Sequence, residues 1–163
     1  MSLVRFLMLL ALVVWVGGII FFAFVVAPSL FVIVPSQHVA GLVVARCLTS
    51  LHWIGMVAGV VFVLCSLVAG GRLFKNGLVL AMLLLTAILQ FGIVRSMEQL
   101  RTAAGGDISA LPQSDPARHR FDTLHNYSTK IEGAVLLLGL AATWLVARDG
   151  EAKRELSART SVN

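Results

Sequence analysis

Apolar residues gather into four long runs, and the polar ones are pushed to the gaps between them. The runs are Phe6–Val26, about Leu51–Ala69, about Gly77–Val94, and a last one from Ile131 to Ala147. A helix needs about 20 apolar residues to cross a hydrocarbon core. The first run exceeds the roughly 7–15 residues of a signal-peptide core, and Pro28 after Ala27 is a poor cleavage context, so it reads as an uncleaved span. Gly17 and Gly18 permit close helix contact there, Pro28 predicts a kink near the exit, and Pro35 ends the helix.

Ser36 then caps a helix that runs from Gln37 to about Gly70, with a bend at Gly41. His52, Gly55 and Gly59 share one face of it, and the two glycines form a small-xxx-small pair. Gly70 to Asn76 reads as a short turn, which makes the second and third spans antiparallel neighbours. Thr86 and Gln90 are the only interior polar residues of the third span, and Gly105-Gly106 stops the helix that follows it. After a loop, Ser114 or Asp115 caps the last helix and Pro116 opens it. The expected fold is all-α: an integral membrane four-helix bundle, its helices extended beyond the membrane on one side. Residues 1–148 form the four-span domain, with spans at about 5–27, 50–70, 77–95 and 128–147, and residues 149–163 form a charged flexible tail.

An even number of spans places both termini on one side. The 36–50 and 96–120 segments then meet at the other side, with all four histidines (His38, His52, His119, His125) at or near it. Lys and Arg number seven at the terminal side and six at the other, so the positive-inside rule separates them weakly. Because the 71–76 turn and the tail flank their spans closely, the expectation is cytoplasmic termini in a bacterial inner membrane.

Composition agrees with a lipid partner. Of the 163 residues, 58% are hydrophobic, and no Asp or Glu precedes Glu98. The mean hydropathy is +0.91. The net charge of +5 is scattered, which argues against nucleic acid and fits anionic lipid head groups or an anionic ligand. Cys47 and Cys65 lie about 27 Å apart on one helix, too far for a disulfide.

Candidate chemistry is concentrated in Arg118–Glu132. Phe121, His125, Ser128 and Glu132 fall at i, i+4, i+7 and i+11, one face of a helix entering the membrane, where polar groups are costly. His52 and His125 are the candidate metal pair, able in principle to hold haem b or a copper or zinc ion. The plainer alternative is that each imidazole hydrogen-bonds at the interface. Met56, one turn from His52, is either a soft third ligand or packing. Arg95, with Arg118, Arg120 and Lys130, either attracts anions or binds lipid phosphates. Glu132 precedes fifteen uncharged residues and is expected to pair with Arg95 or Lys130, with a proton-relay or cation role as the alternative. Gln90 and Thr86 line the same cavity or bond between helices. His38 extends the site or faces water. No hydrolase triad, phosphate loop, zinc-protease motif or dinucleotide fingerprint is present.

One family resemblance rests on Trp15, Gly17 and Gly18 in the first span, Pro28-Ser-Leu-Phe31, His38-Val-Ala-Gly41, and Arg120-Phe121-x-x-Leu124-His125-x-x-Ser128 opening the last helix. Over roughly residues 5–148 the chain resembles bacterial members of the transmembrane protein 205 family, the domain of unknown function 4149. The resemblance implies four spans, no established activity and a link to metal or drug handling. The chain departs from the related pattern at Glu132, where that pattern carries Asn. Three functions follow as expectations: a component handling a metal ion, drug or anion; a haem or copper redox protein; or a structural subunit docking a membrane partner or a second copy. An enzyme is the least expected.

Overall fold

The computed structural model describes residues 3–70 and 73–160, with side chains described for residues 3–70 and 74–148. Four helices are long and apolar enough to span a membrane: α1 (Leu3–Ile33), α2 (Gln37–Val68), α3 (Phe74–Ala103) and α4 (Pro116–Arg148). At 30 to 33 residues each, they measure about 45–50 Å, well beyond a hydrocarbon core of about 30 Å. Each helix packs on its neighbours in sequence, and α1 closes the ring against α4. The molecule is therefore an all-α four-helix bundle and an integral membrane protein. Between 22% and 33% of each apolar window is buried, so most of its hydrocarbon faces outward, where only lipid covers it without penalty.

Local chemistry explains the helix ends. Pro28 has no N–H for the carbonyl of Phe24, and the turn before it widens into a π-helical stretch, Phe22–Val26, with the Ala27 N–H donating to the Phe22 oxygen. The helix then continues to Ile33. Val34 turns extended (ψ 119°), as a residue before proline prefers, and Pro35 follows. The Ser36 hydroxyl accepts from the Val39 N–H at 3.3 Å, and Asp115, not Ser114, caps α4 by accepting from the Ala117 N–H at 2.8 Å. At Gly105 (φ +75°) α3 stops: the Gly106 N–H donates to Arg101 and the Gly105 N–H to Thr102, a Schellman closure that needs the left-handed conformation.

One sequence expectation about an end changes. Phe74, Lys75 and Asn76 already belong to a helix that begins at Leu73, so the α2–α3 turn is shorter than expected; Gly71 and Arg72 lie outside the described residues. The backbone of the last helix also continues to Thr160, with residues 161–163 outside the described set. At this terminal end, Arg5 Nη2 donates to the carbonyls of Val146 (3.1 Å) and Ala147 (2.8 Å), which ties the first helix to the last.

The core is built on close approach. Trp15 (2% exposed) packs against the α2 glycines: a methyl group at Gly55 would clash with Trp15 Nε1, and one at Gly59 would sit 2.6 Å from Trp15 Cζ3. Gly139 of α4 likewise receives Val16 of α1 and Met82 of α3. A carbon added at Gly18 would meet Leu51, while one added at Gly17 would meet nothing outside its own helix within 4 Å. With no hydrophobic drive between helices in lipid, such dispersion contacts must hold the bundle. Gly55→Ala is expected to cost about 1–3 kcal/mol by overpacking Trp15. Gly133→Ala, with nothing within 4 Å of the added carbon, should be neutral or slightly stabilising. Unfolding of both variants in detergent checks this.

Candidate functional site

Helix phase brings His52 into the bundle. On α2 it shares the inward stripe of Gly55, Ala58, Gly59, Phe62 and Ser66, and it is 1% exposed. It lies sixteen residues, about 24 Å, from the α2 end at Val68. A hydrocarbon layer of about 30 Å beginning at Val68 would take it in, near the boundary opposite the termini. A buried imidazole has two polar ring atoms to satisfy. His52 Nδ1 lies 2.9 Å from Gln90 Oε1 on α3, and His52 Nε2 lies 3.2 Å from Glu132 Oε2 on α4. One side chain thus bridges three helices.

Gln90 stands within a second π-helical stretch, Ile88–Val94, which has no proline to explain it. A π-turn adds a residue to the turn and so shifts the phase of the helix around it. Gln90 makes its bond to His52 from this stretch. The Glu132 side chain is 17% exposed, against 2% for His52, so its edge reaches the surface of the bundle. Ser128 (7% exposed) lies one turn before Glu132 on the inward face, and Thr86 (1%) one turn before Gln90.

The other expected site residues are placed differently. His125 is exposed, with no side-chain hydrogen bond among the described residues. The structure does not bring it to His52, whose two ring nitrogens are taken by Gln90 and Glu132. Among the described residues no group of three or more His, Cys, Asp or Glu is arranged to hold a metal ion. The expected pairing of Glu132 with Arg95 or Lys130 is also corrected. Arg95 is exposed, and Lys130 Nζ lies 6.0 Å from the Tyr127 ring. Glu98 pairs with Arg101 at 3.2 Å, not with Arg95, and that guanidinium also sits 5.5 Å over Phe121. His119 is exposed, as is Trp53, which meets Phe91 edge-on at 6.0 Å.

At the loop end, His38 Nδ1 lies 3.4 Å from Asp107 Oδ1. Arg118 fixes this loop by donating to the carbonyls of Ser109 (2.9 Å) and Leu111 (2.6 Å). Asp107 accepts from the Ser109 hydroxyl and, at 2.9 Å, from the Ser109 N–H. Those hydrogen bonds, with the His38 ring beside them, hold its carboxyl below the ordinary carboxylate value.

The bundle and its buried polar bridge define a multi-span helical membrane protein with the His52–Glu132 pair between α2 and α4. The chain belongs to the family described as domain of unknown function (DUF4149), whose pattern matches residues 10–105. That match takes in α1, α2 and α3, including His52 and Gln90, and stops before Glu132. No curated protein and no solved structure matches the chain.

Removing one partner of a buried ionisable pair costs about 3–5 kcal/mol when both are fully enclosed. The Glu132 edge reaches out, so His52→Leu is expected to cost less, about 2–3 kcal/mol. Adding Glu132→Leu should recover part of the loss, because the stranded carboxylate is gone; detergent unfolding of the singles and the double variant measures this. A second expectation concerns acid. A carboxyl lowered in the folded state stabilises fully above its unfolded value and loses that contribution as pH falls through the folded one. Hydrogen-exchange protection of the Ser109 amide should therefore persist to pH values below 3.8, the ordinary value for Asp, and be lost at all pH in Asp107→Ala.

Proposed function

We propose that this protein binds or moves a small cation through the buried site formed by His52, Gln90 and Glu132. The observation that carries the proposal is the Glu132 carboxylate, held inside the spans 3.2 Å from a buried imidazole. An ionisable pair at membrane depth is costly and marks an ion pathway by default. The carboxylate favours a cation over an anion. Arg95 and Lys130, which would draw anions, are exposed and make no bond to Glu132. A cationic drug meets the same carboxylate, but the edge-only exposure of Glu132 favours a small ion.

The setting we propose is a bacterial inner membrane with cytoplasmic termini, so that His38, Asp107 and Arg118 ring the outer mouth. The likeness to transmembrane protein 205 belongs with this reading: it rests partly on the motif opening α4, outside the matched residues 10–105. The competing account is a structural subunit in which the three polar side chains only lock helices together.

Proteoliposomes containing the full chain separate the two accounts. Uptake of sodium or potassium should exceed that of protein-free vesicles and fall about tenfold or more in Glu132→Gln, each tenfold being about 1.4 kcal/mol of lost interaction. Uptake equal to that of empty vesicles, or unchanged in a folded Glu132→Gln protein, would leave only the structural account.

A further inference from the structure

The hydrogen-bond chemistry of the bridge fixes how many protons it holds. Gln90 presents its carbonyl oxygen to His52 Nδ1. A carbonyl only accepts, so Nδ1 carries a hydrogen and donates it. A neutral imidazole then has a bare lone pair at Nε2, and Nε2 faces Glu132 Oε2 at 3.2 Å. An ionised carboxylate also only accepts. Two lone pairs cannot face each other at that distance in a site this buried without a strong penalty. One more proton must lie between Nε2 and Oε2. It belongs to the pair, because imidazolium with carboxylate and imidazole with carboxylic acid are the same composition. Either way the pair is neutral.

Among the described residues no other charged side chain bonds to the pair. α1 carries no charged residue after Arg5, which is at the terminal end. On α2 the nearest charge is Arg46, nearly two turns away toward the loops. On α3 Arg95 is exposed, and on α4 Lys130 and His125 are exposed. The proton between His52 and Glu132 is therefore what keeps this site neutral. It can leave at low cost only if another single positive charge takes its place.

We propose that the pair is a one-for-one exchange site, at which a monovalent cation displaces the shared proton. The step balances: the neutral His52–H–Glu132 pair takes up M⁺ and releases H⁺, which leaves a neutral imidazole, a carboxylate and the cation. The Glu132 oxygen and the freed Nε2 lone pair both face the cation. A divalent ion would leave a net positive charge, and no second carboxylate lies within the apolar part of the described spans to absorb it. Gln90 is a positioning residue: by holding the hydrogen on Nδ1 it keeps Nε2 turned toward the carboxylate. This inference rests on the cation reading above and specifies the cation's charge and its counter-ion.

The test uses the full chain in nanodiscs of neutral lipid, in weakly buffered solution. NaCl or KCl is added in exchange for choline chloride at constant ionic strength, and released protons are counted by pH-stat. About one proton per chain is expected at saturation, and none from Glu132→Gln. In Gln90→Met, which loses the lock on Nδ1, release should be smaller. Nitrogen-15 spectra of the His52 ring supply an independent readout and should show hydrogen on Nδ1 throughout. Cation uptake by proteoliposomes with no proton release would overturn the exchange and keep the cation reading. No uptake and no release would overturn both. A His52 ring bearing its hydrogen on Nε2 alone, with Glu132 ionised, would show the Gln90 amide turned the other way and remove the shared proton.

Discussion

An imidazole inside hydrocarbon has to find partners for both ring nitrogens, and no single helix offers them. His52 meets that demand by reaching Gln90 on α3 and Glu132 on α4. Each partner in turn depends on His52, because an amide and a carboxylate at that depth are equally costly alone. The bond geometry therefore constrains the rotation of three helices at once. Dispersion contacts along the bundle, such as Trp15 on Gly55 and Gly59, tolerate small rotations less sharply than a 3 Å polar contact does. The helices are held together by packing, and this bridge fixes their phase.

The irregularities of the backbone fit that division. The π-helical turn in α1 has a covalent cause in Pro28. The one in α3 has no such cause and carries Gln90. A turn of irregular geometry is retained most readily where a side chain must be re-aimed, and the bond to His52 is the polar contact that this one supports.

Much of this was legible in the sequence, for reasons that can be named. Four apolar runs of membrane length are a strong signal, and Ser36, Pro35, Gly105 and Pro116 mark ends by chemistry that acts locally. His52 sharing a face with Gly55 and Gly59 follows from helical spacing, and so does Gln90 as a rare polar residue within a span. What spacing cannot supply is the rotation of one helix against another. That rotation decides that Glu132 meets His52 instead of Arg95, and that His125 stays outside although it lies on the same stripe as Glu132; Lys130, two residues before Glu132 on the same helix, faces elsewhere by spacing alone. The π-turn at Ile88–Val94 has no residue signature at all.

The account stands on one contact between α2 and α4. Solid-state dipolar recoupling between the His52 ring nitrogen Nε2 and the Glu132 side-chain carboxyl carbon measures it directly in lipid bilayers. With Nε2 and Oε2 at 3.2 Å, the nitrogen-to-carbon distance should be about 4 Å. A distance beyond about 6 Å, outside hydrogen-bond reach, would contradict the pairing and with it the proposed cation site.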